Sequence, residues 1–261
     1  MTAYFSSIWQ CRYFWLSLVK MDLRTRYRRS LLGMGWSLLN PIAMTAIFCL
    51  VFTHVLGGSD IKFFAPYLLA GLSCWQYITG ALQQGCQSFY RGESYIRQYP
   101  APLAIYPLRI ALGCMIHFLI ALVVVLALAW VLRGFSNLAF LWTLAPSLIL
   151  LFIFGWSLAL IAGFATVHFH DTQHLLEIAL QILFYATPVI YQADMLRARH
   201  LGFLVRFNPI LPFLDLIREP ILYSRFPSTH TLVLASVVTA GTAILAGITL
   251  NRFGKRLIFH L

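Results

Sequence analysis

Residues 24–41 of the chain read RTRYRRSLLGMGWSLLNP, a basic block that passes through two glycines and a tryptophan into an apolar segment. The apolar sequence continues from Ile42 to Leu56. Guanidinium groups enter hydrocarbon only at a high free-energy cost, so this junction predicts a boundary between water and lipid. The block also places phosphate-binding donors where lipid headgroups would lie. The stretch therefore indicates an integral membrane protein that handles an anionic group at the cytoplasmic surface.

The composition supports a membrane protein and argues against a soluble one. Hydrophobic residues make up 60% of the chain and charged residues only 10%, whereas soluble domains carry about 25% charged residues. The net charge of +11 would indicate nucleic-acid binding in a soluble protein. Here the basic residues flank apolar segments and no nucleic-acid motif is present, so we expect membrane lipids and no nucleic acid as partners. The five cysteines form no CxxC pair and predict neither a disulfide framework nor a zinc site.

Apolar segments long enough to cross a bilayer recur along the chain. A spanning helix needs about 20 predominantly apolar residues. The segments that qualify, or nearly so, are 34–56, 63–85, 104–132, 139–167, 174–192 and 230–251. The chain is therefore predicted to be all-α: one transmembrane domain over 1–261, with six transmembrane helices. Aromatic and apolar residues at helical spacing within 1–30 predict an amphipathic helix at the membrane interface, although an ordinary amphipathic helix packed on protein would show the same pattern.

The distribution of basic residues predicts the orientation in the membrane. If the N-terminus is inside, the cytoplasmic segments hold most of the arginines, and the short outer loops hold only Lys62 and Arg133. This asymmetry predicts cytoplasmic location of both termini. The outer segment 193–229 is basic as well, but long translocated segments do not follow the rule.

That outer segment is too apolar to lie freely in water. Pro209, Pro212 and Pro220 divide it into pieces too short to span a bilayer. Short re-entrant helices that cap a pathway fit this pattern, and helices lying flat on the membrane fit it as well.

The segment 88–101 combines charged and aromatic residues with a proline-rich exit. A short helix is predicted from Phe89 to Gln98, ending before Pro100. Its polar and aromatic side chains suit a docking surface for a cytoplasmic partner, and a solvated connector with interfacial tyrosines is an equal alternative.

Several motifs, taken in order, resemble a known family. Arg26–Pro41 (RYRRSLLGMGWSLLNP) is similar to the opening motif of type-two ABC exporter permeases for polysaccharides, the O-antigen and teichoic-acid group. Glu93–Pro100 (ESYIRQYP) resembles the coupling region of that family, and Thr187–Tyr191 (TPVIY) its TPV-Y signature. His170-Asp171, Asn208-Pro209 and Arg218 occupy the places of further family patterns. The resemblance covers almost the whole chain.

The resemblance implies a homodimeric permease in the bacterial inner membrane, with two copies of a separate cytoplasmic ABC ATPase subunit. Its substrate would be a polyprenyl-pyrophosphate-linked polysaccharide. The sequence agrees in one respect: no GxxxxGK loop followed by Ser or Thr occurs, and Gly254-Lys255-Arg256 does not supply one. We therefore expect no cofactor and no catalytic residue in this chain, with ATP and Mg bound by the partner ATPase. Two copies related by a twofold axis would also enclose a wider pathway than six helices can.

Four groups of residues are the candidate functional sites. Aromatic faces pack on sugar rings without fixing register, and the resemblance implies that spans one and five line the channel. The channel candidates are Trp36, Phe48, Phe52, Tyr185 and Tyr191. The candidates for binding the lipid pyrophosphate are Arg24, Arg26, Arg28 and Arg29, which would serve equally for anchoring on phospholipids. The candidates for ATPase coupling are Arg91, Glu93, Tyr95, Arg97 and Gln98, and those for a periplasmic gate are Asn208, Pro209, Arg218 and Glu219.

Other functions remain open from the residues alone. A membrane-embedded transferase acting on a polyprenyl lipid would need a base such as Asp171, His168 or His117, and no carboxylate pair is evident. An ion-coupled flippase would normally carry more intramembrane charge. His168, His170 and His174 lie close in sequence, but nothing supplies further ligands, so no metal site is predicted.

Overall fold

The computed structural model describes residues 2–27, 33–54, 60–99, 101–134, 138–198, 202–254, 257 and 261. Within these ranges all regular structure is helical, which confirms the predicted all-α class. The α-helices in chain order are α1 (Thr2–Gln10), α2 (Arg12–Tyr27), α3 (Trp36–His54), α4 (Ile61–Cys86), α5 (Glu93–Gln98), α6 (Ile105–Arg133), α7 (Leu144–His168), α8 (Thr172–Ala186), α9 (Ala193–Ala198), α10 (Gly202–Arg206), α11 (Leu211–Leu222) and α12 (Thr229–Phe253). Short 3₁₀ turns occur at Gly33–Gly35, Tyr90–Gly92 and Leu138–Thr143.

Within the described ranges, three helical segments have the length and apolar composition needed to cross a membrane: Ile105–Arg133, Ala139–His168 and Thr229–Phe253. They make the chain a multi-pass membrane protein. α3 adds a shorter apolar stretch, Leu38–Val51. α4 is long enough, with 26 residues, but it is more polar, and α8 has only 15 residues. Six spans therefore stay a prediction.

α4 lies at the centre of the packing. It packs on α3, α6, α7 and α11, and α7 in turn packs on α12. The backbones of α4 and α7 approach closely at Gly85, where an added Cβ would lie 2.6 Å from the Cα of Ala159. Small residues at such a crossing allow tight helix packing in lipid, where no hydrophobic effect drives helices together.

The apolar outer segment forms a buried helix. Almost every residue of α11 is buried, and Asp215 is the partly exposed exception. Pro212 stands in the first turn and Pro220 lies inside the helix, so these prolines do not divide it as expected. α11 packs on α4, α7 and α12, which explains its composition, because its apolar side chains are covered by protein. Whether it is re-entrant with respect to the bilayer stays a prediction.

The long helices expose apolar side chains on the outside of the bundle. Val233, Val237 and Ile244 of α12 and Val123 and Trp130 of α6 are all exposed. A continuous apolar surface of this kind is costly in water. It is the surface expected of helices that contact lipid.

Candidate functional site

A cavity of about 790 Å³ lies at the end of the molecule formed by α11. Its walls come from the first turns of α4, the segment after α8, the helices α9 to α11 and the first turn of α12. Three of the four predicted gate residues, Asn208, Arg218 and Glu219, line this α11 cavity, and Pro209 is exposed next to Asn208. The structure therefore brings this predicted group together, although their role as a gate is untested.

The Arg218 side chain connects the turn after α8 to α4 through hydrogen bonds to both. Its guanidinium is only 2% exposed and donates to the carbonyl oxygens of Pro188 (2.8 Å) and Val189 (2.7 Å). It also donates to the hydroxyl of Tyr67 at 3.0 Å, and its Cζ lies 3.6 Å from the centroid of the Tyr67 ring. An added Cβ on Gly71 would overlap the guanidinium, so glycine at this position leaves it room. A planar fork with several donors suits this arrangement of oxygens better than an ammonium would.

Asn208 and Glu219 fix the two ends of α11. The side chain of Asn208 accepts from the backbone N–H of Ile210 at 2.9 Å and of Leu211 at 3.3 Å, which caps the helix. Its amide donates to the hydroxyl of Thr187 at 2.8 Å. Glu219 accepts from Arg225 at 2.7 Å and from the backbone N–H of Ser228 at 2.9 Å. The connection from α11 to α12 is thereby held in place.

The α11 cavity carries mixed charge. Its acidic residues are Asp194, Asp215 and Glu219, and its basic residues are Arg206, Arg218 and Arg225. Burial raises the pKa of the Tyr223 phenol, and Arg218 and Arg225 offset part of that rise, so the phenol stays protonated at neutral pH. A neutral ligand rich in hydroxyl groups finds both donors and acceptors in such a cavity.

The predicted coupling residues lie at the opposite end of α4, about 39 Å away by the length of 26 helical residues. Arg91, Arg97 and Gln98 are exposed, whereas Glu93 and Tyr95 are partly buried. Glu93 accepts from Arg97 Nε at 2.9 Å. The helix ends at Gln98, as the following Tyr-Pro pair predicts, but it begins at Glu93 and not at Phe89, because a 3₁₀ turn occupies Tyr90–Gly92.

α5 rests on the N-terminal helices through aromatic rings. The ring of Phe14 in α2 lies 5.8 Å from the ring of Tyr95 and 5.9 Å from that of Tyr99. Asp22 of α2 in turn pairs with the buried Arg109 of α6, with 3.3 Å between the carboxylate oxygen and Nε. A continuous set of contacts thus joins α5 to α2 and α2 to the long apolar helix α6.

The structure does not bring the channel and pyrophosphate candidates together at one place, as far as it describes them. Trp36 and Tyr185 are exposed, Phe48 is partly buried in α3, and the hydroxyl of Tyr191 donates to the carbonyl oxygen of Tyr185 at 2.6 Å. Phe52 lies in α3 and Arg26 in α2, and their side chains are outside the description. Arg24 is exposed on α2, whereas Arg28 and Arg29 lie outside the described residues.

Three features of these sites were not predicted from the sequence. Tyr67 is the acceptor and ring partner of Arg218, and its position in an apolar segment gave no hint of that role. The pair Asp22–Arg109 joins residues far apart in sequence. The polar residues along α4, described below, could have been found from their spacing. The three histidines of 168–174 have different partners. His168 contacts the carbonyl oxygen of Phe164, His170 hydrogen-bonds to the hydroxyl of Tyr90, and His174 lies beside the carboxylate of Glu177.

These features define a class of protein: an all-helical multi-pass membrane protein with a polar cavity at one end and a short amphipathic helix packed on its N-terminal helices at the other. Residues 13–222 match the family described as ABC-2 type transporter, and the chain belongs to that family. The chain is similar to the O-antigen export system permease protein RfbA of Klebsiella pneumoniae, 25% identical over 202 residues and 77% of each chain. It is also similar to the protein of the same name from Myxococcus xanthus, 25% identical over 238 residues and 89% of each chain.

The family membership confirms the predicted resemblance and the assignment of the chain as a transporter permease rather than a transferase. Membership of an ABC transporter family also implies a partner ATPase subunit, in keeping with the missing ATP-binding loop in the sequence.

Proposed function

We propose that the chain is the transmembrane subunit of an ATP-driven exporter that moves a lipid-linked, O-antigen-like polysaccharide from the cytoplasm to the outer side of the bacterial inner membrane. The observation that carries the proposal is the match to the ABC-2 type transporter family together with relatives named as O-antigen export permeases. The chain works as a homodimer with two ATPase subunits, and both termini lie in the cytoplasm.

The contacts at the α5 end support a coupling role. The exposed side chains Arg91, Arg97 and Gln98 are available to a partner, whereas Tyr95 faces α2. A displacement of α5 by the ATPase is therefore passed to α2, and through Asp22 and Arg109 to α6. Arg24, exposed on α2, and its neighbours Arg26, Arg28 and Arg29 bind the pyrophosphate of the lipid carrier through charge-assisted hydrogen bonds.

The surfaces of α3 and α8 support dimerisation. Ile47 and Leu50 of α3 and Ile178, Ile182 and Tyr185 of α8 are exposed. α8 also exposes Glu177 and Gln181 among these apolar residues, and ionisable groups in a membrane helix favour a protein interior or a water-filled cavity over lipid. We infer that the twofold axis passes beside these helices and that the channel candidates line the pathway, namely Trp36, Phe48, Phe52, Tyr185 and Tyr191. The α11 cavity, with Asn208, Pro209, Arg218 and Glu219, forms the outer gate.

Deletion of the gene in its source bacterium tests the proposal. We expect the cell surface to lose its polysaccharide while lipid-linked polymer accumulates inside, and a plasmid copy of the gene to restore export. A tagged copy should co-purify with an ATP-hydrolysing subunit in equal amounts. Normal surface polysaccharide in the deletion strain, or transport by vesicles that contain this chain alone, would refute the proposal.

A further inference from the structure

A second cavity, of about 390 Å³, lies between α3, α4 and α6. We call it the α4 groove. Its lining is unusually polar for helices of a membrane protein and consists of Trp36, Asn40, Ser73, Gln76, Tyr77, Thr79, Gly80, Gln83, Gln84, Cys114, His117, Phe118 and Ala121. Of the channel candidates, Trp36 belongs to this groove.

Polar residues of α4 form a stripe on one side of the helix. Ser73, Gln76 and Gln83 are its polar members, Gly80 lies between them, and Gln87 follows directly after the helix. These positions are separated by three and four residues, which places them on one face. Gln87 at the end of the stripe donates to Gln173 at 2.6 Å, and Gln173 donates to Glu177 at 3.3 Å. The stripe thus continues onto the first turns of α8. It also explains why α4 is less apolar than α6, α7 and α12.

This stripe costs free energy unless something pairs with it. Ser73 is 3% exposed, and its hydroxyl has no hydrogen-bond partner in the part of the chain that the structure describes. The amides of Gln76 and Gln83 are partly buried along the open volume. Among the described residues, the Gln84 amide donates to a weak acceptor, the sulfur of Cys114, at 3.5 Å. Polar groups at membrane depth are expensive, and they typically face a water-filled cavity or a ligand.

The chemistry of the α4 groove selects a neutral, hydroxylated ligand. Among the residues that the structure describes, those that line the groove include no Lys, Arg, Asp or Glu, and charged donors of this kind are what binds pyrophosphate tightly. Amide side chains both donate and accept, which matches sugar hydroxyls, and Trp36 adds an aromatic face for the C–H side of a ring. A volume near 390 Å³ is in the range of small-ligand sites, about 300–1,000 Å³.

We propose that the α4 groove binds neutral sugar units of the exported polysaccharide in the cytoplasmic half of the pathway, with Ser73, Gln76 and Gln83 as hydrogen-bonding residues and Trp36 as the stacking residue. The location follows from the chain: Trp36 begins α3, and Gln83 and Gln84 lie in the last turn of α4, at the α5 end. This inference rests on the proposed function and adds to it the residues that hold the polymer.

Photo-crosslinking gives a direct test. A benzophenone amino acid is placed at Gln83 or, as the control, at Thr249, which lies on α12 outside the groove and donates to its own helix at Leu245. Intact cells that also express the ATPase are irradiated, and the purified permease is stained for glycan. We expect a glycan adduct at position 83 and none at 249. Adducts only with phospholipid at position 83, in cells whose wild-type complex exports normally, overturn the groove assignment and leave the proposed function standing.

Substitutions give an independent readout. The double variant Gln76→Leu/Gln83→Leu should lower surface polysaccharide about thirtyfold, which corresponds to about 2 kcal/mol from two lost hydrogen bonds. Gln76→Asn/Gln83→Asn, which keeps the amides, should retain most of the export, and Thr249→Val should match wild type. Normal export by a Leu variant that assembles with its ATPase contradicts the inference. If that variant fails to assemble, the crosslinking result decides.

Discussion

The two ends of α4 are stabilised in different ways. At the α11 end, the buried Arg218 joins Pro188, Val189 and Tyr67 in one hydrogen-bonded cluster. At the α5 end, Glu93 and Arg97 pair with each other in partly exposed positions, and Tyr95 touches α2 mainly through its ring. The first arrangement fixes a turn within the bundle. The second leaves a helix whose polar side chains are available to another protein, so substitutions at the two ends should differ in their effect on stability and on transport.

Arg218→Met should have the largest effect on stability. The substitution leaves the buried carbonyl oxygen of Val189 without its donor and that of Pro188 with only the Tyr67 hydroxyl, at 3.4 Å, and each buried acceptor left unpaired costs about 1–3 kcal/mol. For a chain of this size we expect the apparent melting temperature in detergent to fall by about 10 °C. Thermal unfolding of the purified permease, followed by tryptophan fluorescence, measures it.

Arg225→Met is the matched control for Arg218→Met. The Arg225 side chain is 61% exposed, whereas its ion-pair partner Glu219 is 10% exposed and keeps the hydrogen bond from the backbone N–H of Ser228. A pair in which one member is hydrated and the other retains a second donor is worth about 1 kcal/mol. The melting temperature of the Arg225→Met variant should therefore remain close to that of wild type. Equal melting temperatures for the two variants would show that the buried cluster does not stabilise the α11 end.

Asp22→Asn should have an intermediate effect, because it acts where the two regions are joined. It removes the charge that faces Arg109, which is 2% exposed, while Asp22 itself is 34% exposed and partly hydrated. We expect a loss of about 1–2 kcal/mol, or about 3–5 °C in the same assay.

The double variant Asp22→Asn/Arg109→Met tests whether the two side chains act as a pair. If they do, the double variant should lose less stability than the sum of the two single variants. Strictly additive losses would mean that α2 is not held to α6 through this contact.

The same contrast explains how much the sequence could predict. The end of α5 at Gln98 was predictable because Pro100 limits where the helix can end, whereas its start at Glu93 was not. Asn208 and Arg218 were selected because they match a pattern of the family that the chain resembles. Tyr67 and Asp22 could not be assigned, since their partners lie 151 residues away at Arg218 and across the bundle at Arg109. The prediction of a helix break at Pro220 was wrong, since α11 continues through this residue. The packing of α11 on α4, α7 and α12 outweighs the backbone hydrogen bond that the proline cannot make.

The α4 groove shows a different limit of prediction from the sequence. Its glutamines are visible in the sequence at helical spacing, but mean hydropathy averages over all faces of a helix, and 63–85 qualifies as an apolar segment despite them. The stripe becomes informative once α3 and α6 are seen to leave a cavity beside it. A search for polar residues at intervals of three and four within apolar segments would have located it.

Arg97→Ala should have the smallest effect on stability and a large one on transport. The pair with Glu93 is exposed and lies within one helix, so its loss costs about 0.5 kcal/mol and about 1 °C. If α5 docks on the ATPase, loss of a contact residue should lower export about tenfold, as removal of an interface anchor does. Surface polysaccharide and ATPase activity of the purified complex measure the effect, with Arg252→Ala on the exposed end of α12 as the control. Wild-type export by both Arg97→Ala and Glu93→Ala would remove α5 from the coupling pathway, because these two side chains carry the charge that α5 presents to a partner.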